Sequence, residues 1–541
     1  MFGAVLLVLF LSSLDQTIVG TALPRIVSDL RGDNLYTWVV TSYLLTSTVT
    51  VPIYGKLSDV YGRRPMLLIG VVIFLVGSAL SGLSQSMGQL IAFRGVQGLG
   101  AGALFPISLA IIGDLFSPQE RGRYQGFFGA VFGVSFIIGP FLGGFLTDHA
   151  SWRWVFYVNI PVGIAALAVI AAVLPNMGRR PGSVRDFDFL GVALLSIGLV
   201  SLLIGLTEKG QTAPDGQLYG WLTWQVGGLI LVAGVLLVAF ILVERVAKEP
   251  VIPLDLFTTR TTAGTNAAVF CLGFGLFTAV IYLPRFFQVV RGISATQSGY
   301  EIWPLLVGLI GGSILGGQLI SRTGRYKALM LISIGLLIVG AWLMTHLQAD
   351  TNGVVLWSWM LILGAGVGPG LAAYTVVIQA AVPLRRLGVA TSTLTLLRQL
   401  GGSVSLAIAG TLFNSTFVHQ LPASFAAHGV PAAVAGPLSA AASSGNLSSL
   451  GAGAQLAQSP QLQALVPRIL AAIHEAEALA IAQLFWLTIG AAVAAFLFTL
   501  LIKELPLRGG PALRQEQLDE LATAGVPEPV SPAAAAVTPA P

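Results

Sequence analysis

Apolar stretches, each about long enough to cross a bilayer, recur along the 541-residue chain and are separated by short polar groups. A hydrocarbon core about 30 Å thick takes about 20 helical residues. Fourteen stretches meet that requirement: 3–24, 36–58, 66–84, 88–114, 123–146, 153–174, 189–206, 222–243, 263–286, 299–320, 328–346, 354–381, 388–413 and 481–502. The pattern predicts an all-α membrane protein. The first stretch has no early Lys or Arg and no small-residue cleavage site, and it carries Asp15 near its middle. It therefore reads as a span and not as a signal peptide.

Two regions break the pattern. Residues 414–479, rich in Ala, Ser, Leu and Gly, read as a long outer loop whose end could continue as helix into the last span. The Pro- and Ala-rich tail 504–541 reads as disordered and cytoplasmic. An internal repeat orders the rest. Gly55, Leu57, Gly62 and Arg63, after the second span, recur at a constant offset as Gly317, Leu319, Gly324 and Arg325 after the tenth. Similar loops after the second helix of each half imply a duplicated six-helix unit. The predicted organisation is a six-helix half at 1–175, a linker with two inserted transmembrane helices at 176–260, and a second half at 261–503 that includes the 414–479 loop.

Composition agrees and removes other classes. Only 9% of residues are charged and 55% are hydrophobic, against about 25% charge in a soluble domain. The formal charge of +5 does not point to nucleic acid, because Lys and Arg recur as short groups between apolar stretches. With the amino terminus inside, 19 of the 28 cations fall on the cytoplasmic side, 7 fall outside, and Arg94 and Arg398 lie within spans. Both termini are thus expected in the cytoplasm. Cys271 has no partner cysteine and the five histidines have no ligand spacing, so no disulfide framework or metal site is expected. No reactive constellation suggests an enzyme.

Four motifs carry the chemistry. Gly55, Asp59, Gly62, Arg63 and Arg64 form a loop in which glycines permit a tight turn. Asp59 can sit near a helix amino terminus and pair with arginine; taken alone, Arg63 and Arg64 are equally well explained as positive-inside anchors. Asp15, in Leu14 to Pro24, lies where a charge costs about 2.5–3.5 kcal/mol on insertion scales. Withdrawal from water favours the protonated acid, which suits a reversible proton carrier; the alternative is a hydrogen-bonded acid that holds helices together. Arg94, in Leu90 to Gly102, stays protonated and needs a carboxylate, a carbonyl or water, with Asp15 the candidate partner; alternatively it snorkels to the outer face. In Gly139, Pro140, Gly143 and Gly144, proline frees a carbonyl and the glycines allow close packing, which predicts a bend. Glu301 falls in the first turn of the tenth span, at headgroup level unless it faces the cavity. Arg398, in Leu-Leu-Arg-Gln-Leu-Gly-Gly, is expected to pair within the second half.

These motifs together resemble the major facilitator superfamily, in particular its fourteen-helix drug:proton antiporter branch. The loop from Gly55 to Leu67 is similar to the signature between helices two and three, with Val60 where Arg is frequent. Leu14 to Pro24 resembles the branch's first-helix signature with Gly20 where Asn is common. Leu90 to Gly102 resembles the fourth-helix signature, Trp152 to Pro161 the start of the sixth span, and Gly139 to Gly144 the antiporter signature, with Ser135 where Gly leads. The resemblance implies a major facilitator fold and a proton-coupled exporter of small amphiphilic or cationic drug-like compounds. It also implies a multi-pass monomer of the bacterial inner membrane that needs no cofactor beyond the proton gradient. On that basis Asp15 and Arg94 couple protons, the Gly55 to Arg64 loop gates, and Glu301 and Arg398 offer a substrate or second proton site. Export of a lipid, siderophore or other metabolite by the same fold is the alternative.

Overall fold

The computed structural model describes residues 1–30, 35–174, 188–209, 219–248, 250–383, 386–443 and 465–504. The tail expected at 504–541 lies outside these residues from 505 onward, as do Arg31, Arg179, Arg180, Arg185, Arg385, Arg508 and Arg514 among the cations.

The described residues contain helices and no strand. The first half comprises α1 (Phe2–Leu30), α2 (Tyr36–Tyr61), α3 (Arg63–Leu83), α4 (Met87–Leu115), α5 (Pro118–His149) and one crossing divided into α6 (Trp154–Tyr157) and α7 (Asn159–Val173). Next come α8 (Phe189–Glu208) and α9 (Leu229–Glu244). The second half comprises α10 (Arg260–Arg285), the short α11 (Ala295–Glu301), α12 (Trp303–Thr323), α13 (Lys327–Met344), α14 (Gly353–Ala380), α15 (Leu387–Ala427), the short α16 (Ala432–Ser443) and α17 (Val466–Leu501).

Thirteen of these helices, with α6 and α7 taken as one, are long and apolar enough to cross a membrane. The remaining crossing, α2, is 26 residues long but carries many Ser and Thr. Several of its hydroxyls are bonded internally or to α4: Thr46 donates to Ser42 O at 2.9 Å and Gly95 O at 2.8 Å, and Thr50 donates to Thr46 O at 2.9 Å. A polar helix crosses lipid when its neighbours satisfy it in this way.

Local chemistry sets the helix starts. Ser86 accepts from Gln89 N, Asp188 from Gly191 N, and Asn352 from Val354 N; each satisfies an amide that the first turn leaves free. Close approach then builds the halves. Gly98 and Gly102 lay α4 on α2, where a Cβ would overlap Thr46 and Thr50. In the second half α14 packs on α12 and α13, and α17 on α10, α13 and α15. Helices α8 and α9 pack on each other and share a buried cluster with α2 and α15 that includes Val49, Leu199, Phe240 and Leu396.

The region expected to be loop at 414–479 differs from that expectation. Helix α15 runs on to Ala427 and α16 covers Ala432–Ser443, while α17 begins at Val466, as the helical continuation expected at the loop's end. Ala and Leu favour helix, and the extension buries Phe417, Leu421 and Phe425 in the same core as Ile469 and Ala472.

Candidate functional site

The first cluster is built around Asp15, which is fully buried in the middle of α1. Its Oδ2 accepts from Arg94 Nη1 at 2.9 Å. Its Oδ1 accepts from Gln97 Nε2 at 2.8 Å and from Asn159 Nδ2 at 2.9 Å. Arg94 and Gln97 are one turn apart on α4, and Arg94 Nη1 also donates to Gln97 Oε1 at 2.7 Å. Asn159 opens α7 and is held by Ser78 of α3, whose hydroxyl donates to Phe156 O at 2.8 Å. The break at Val158 thus delivers an amide to the carboxylate. The Arg94 guanidinium lies 4.2 Å from the Tyr43 ring centroid.

Arg94 is 2% exposed, so it does not snorkel to the outer face. Three donors converge on the two oxygens of Asp15. Sequence reasoning missed Gln97, Asn159, Ser78 and Tyr43. Gln97 lies within the same signature as Arg94, one turn on, and Asn159 within Trp152 to Pro161, which were the signals available; that Asn159 reaches Asp15 across 144 residues is decided by the fold.

The antiporter-like motif packs directly on this helix. A Cβ at Gly139 would overlap Thr17, and one at Gly143 would overlap Thr21 and Ile18 O. Thr17 donates to Ser135 O at 3.0 Å, so α5 is fastened to α1 two residues beyond the carboxylate. Pro140 lies within continuous helical backbone, its side chain outside the described residues. Gly144 is half-buried.

The second cluster lies at the end of the bundle that carries the repeated loops. Asp59 Oδ1 pairs with Arg63 Nη1 at 2.5 Å, and Arg63 Nε pairs with Asp114 Oδ2 of α4 at 2.8 Å. The same Asp59 carboxylate accepts from Gly388 N at 3.0 Å and Val389 N at 2.9 Å, in the first turn of α15. It therefore bridges the halves by capping a helix it does not belong to. Gly55 fits beneath it against Gly388 and Ser392. Gly62 makes the turn at φ 96°. Arg64 faces outward and donates to Ala171 O at 2.5 Å.

Arg121, counted from sequence among the cytoplasmic anchors, is 2% exposed and belongs to this junction. It donates to Gly113 O at 2.5 Å and Phe116 O at 3.0 Å. Gln379 of α14 accepts from Gln125 Nε2 at 2.8 Å and donates to Leu109 O at 3.0 Å. Gln379 did not stand out in the sequence, because its partners Gln125 and Leu109 lie in the opposite half.

Two expectations need correction. Glu301 is not in the first turn of the tenth span; it ends α11, and α12 starts anew with Pro304 in its first turn. Its Oε2 accepts from Trp357 Nε1 at 2.9 Å. Arg398 does not pair within the second half. Its guanidinium lies over Phe105 of α4, 5.0 Å from the ring centroid, and borders a narrow cavity of about 20 Å³ lined by residues that include Leu272, Val367, Tyr374 and Leu394. The apolar faces of α10 and α14 offer it no acid.

Residues 5–406 match the family model described as Major Facilitator Superfamily. The chain is 40% identical to Multidrug transporter protein MdtP of Bacillus subtilis (strain 168), over 76% of this chain and 74% of that one. It is 38% identical to Multidrug resistance protein 3 of the same organism, over 78% and 80%. Its fold resembles the human organic anion transporter MFSD10, with a TM-score of 0.58 and 16% identity, over 93% of this chain and 98% of that structure.

Proposed function

Because the chain belongs to the major facilitator superfamily, we propose that it works as a proton-coupled antiporter, moving small amphiphilic compounds out of a bacterial cell by alternating access. One observation carries the reading: a fully buried carboxylate, Asp15, is tied to a buried arginine and two amides on other helices. Protonating Asp15 removes the charge that holds Arg94, so proton occupancy and the contact of α1 with α4 change together. Asp114, at the far end of α4, holds Arg63 of the gating loop. Arg94 and Asp114 are about 30 Å apart along α4, so one continuous helix, through Pro106, joins the proton site to the gate. The junction around Asp59 is the cytoplasmic gate, closed in this state. The names of the relatives MdtP and Multidrug resistance protein 3 support drug-like cargo.

The test is transport by the purified protein in liposomes with an imposed pH gradient, using fluorescent amphiphiles of different charge. The wild type should concentrate its cargo. Asp15→Asn should lose gradient-driven accumulation by about 100-fold or more, the effect typical of removing a positioned proton-transfer group, while downhill exchange persists. Cargo movement indifferent to both the gradient and the substitution would refute proton coupling. Movement of a lipid alone would favour the metabolite-exporter alternative.

A further inference from the structure

Glu244, the last residue of α9, is buried, and a carboxylate withdrawn from water needs donors or a cation. Its Oε1 accepts from Val251 N at 2.9 Å and Ile252 N at 3.2 Å, which folds the departing chain back under the helix. Among the described residues its Oε2 meets no hydrogen-bond donor. Asp188, the N-cap of α8, acts on this carboxylate as a like charge, and the buried Lys56 of α2 acts on it as the opposite one. Lys56 stands about one turn before Asp59 in the same helix. The inserted pair thus sets an acid within electrostatic reach of the helix end that carries the gate.

Packing gives that attraction leverage. Helix α8 packs on both α2 and α15, and Leu199, Phe240, Val251 and Ile252 share a buried cluster with Val49 of α2 and Leu396 of α15. The pair therefore lies across the seam between the halves. The chain that leaves it reaches the other side of the gate, where Asp255 pairs with Arg386, the N-cap of α15. Arg386 is two residues before the first amide that Asp59 caps. In the repeated loop the counterpart of Lys56 is Gln318, in the copy that faces α5. The cation is present in the copy that faces the inserted pair.

We propose that the inserted pair is a strap over the α2–α15 seam that steadies the closed cytoplasmic gate, held to the first half by the attraction of Glu244 for Lys56 and to the second by Asp255 and Arg386. Opening requires α2 and α15 to part at this end, and an element attached to both opposes it. Glu244 is a positioning residue, acting on the Asp59 junction through Lys56. Charges shielded from water attract across several ångströms more strongly than they do in water, so this is the stronger attachment. The Asp255–Arg386 pair is partly exposed and screened, and contributes less. The proposal rests on reading the Asp59 junction as the gate, and not on proton coupling.

The test reads gate opening as the rate at which Ser392→Cys, buried against Gly55 in the closed junction, reacts with a maleimide in the purified full chain carrying Cys271→Ser, with no pH gradient. Glu244→Gln keeps an acceptor for Val251 and Ile252 and removes the charge; Lys56→Gln installs the residue of the second copy. Each should speed the reaction at least about fivefold, a ratio equivalent to about 1 kcal/mol. Together they should be no faster than the quicker of the two, because both remove one attraction. Lys56→Arg should keep the slow rate, and Asp255→Asn should add a smaller, independent factor. The proposal is overturned if either single variant reacts at the parent rate or if the two effects multiply. Should Glu244→Gln fail to fold, Lys56→Gln against Lys56→Arg decides, and equal rates overturn it. Asp59→Asn is measured alongside. If it speeds the reaction and the others do not, the strap alone falls; if it too has no effect, the gate reading falls and the strap with it.

Discussion

The two copies of the repeated loop share a turn and differ in charge. Gly62 and Gly324 occupy matched positions, and both have positive φ, 96° and 65°. Gly55 and Gly317 each lie against a helix of the other half, Gly55 against α15 and Gly317 against Gly122 of α5. Asp59 in the first copy caps the first turn of α15, which has no side-chain cap of its own. The second copy has Ser321, whose backbone carbonyl accepts from Gln119 Nε2 at 2.9 Å. There, α5 caps itself: the Glu120 carboxylate accepts from Ser117 N at 3.1 Å and from its hydroxyl at 2.7 Å. A loop carboxylate has a role where the opposing helix leaves its amides free, and none where they are already satisfied. The two copies share the geometry, and only the first carries the ionic lock.

The comparison yields graded expectations. Asp59→Asn should have the largest effect, because removing one partner of a buried pair costs about 3–5 kcal/mol. Thermal unfolding of the purified protein should register that loss, and a cysteine placed at Ser392 should react with a thiol reagent at least about tenfold faster as the halves part, a ratio equivalent to about 1.4 kcal/mol. Gly62→Ala should come next. At φ 96° and ψ 153° its backbone lies in or beside the region open to little but glycine, which costs about 1–3 kcal/mol per residue forced there. Gly324→Ala, at φ 65° and ψ 6°, should cost about 1 kcal/mol, with Asn better tolerated. Melting temperatures of the two variants, compared side by side, check that order. Ser321→Ala should be silent within about 0.5 kcal/mol, since its bond uses the main chain. Equal effects of Asp59→Asn and Ser321→Ala would dissolve the distinction between the copies.

Much of this architecture is legible in hydropathy alone. Apolar stretches of bilayer length mark the crossings because lipid cannot satisfy a bare backbone. The charge pattern and the repeated glycines then divide the chain into comparable halves. Limits appear where packing overrules composition. The Ser- and Thr-rich α2 crosses because α4 receives its hydroxyls, and residues 414–427 extend α15 because Phe417 and Phe425 find a core. The site was half legible. Asp15, Arg94 and Asp59 stand out because a charge in or beside an apolar span is costly. Asn159, Gln379 and Arg121 do not, because a polar residue at a helix end is common and its significance comes from the group opposite.

The sequence by itself determined the class of protein, the crossings, the duplicated loop and the few intramembrane charges, since each is a local cost that one segment incurs against lipid. Tertiary structure alone decided the partners. It joined Asp15 to Asn159 across 144 residues and Asp59 to the start of α15 across 329. It also placed Arg398 beside a narrow apolar cavity and not beside an acid. Which groups neutralise a charge depends on distance in space, and hydrogen bonds and ion pairs act over a few ångströms while the chain separating these residues runs through several helices.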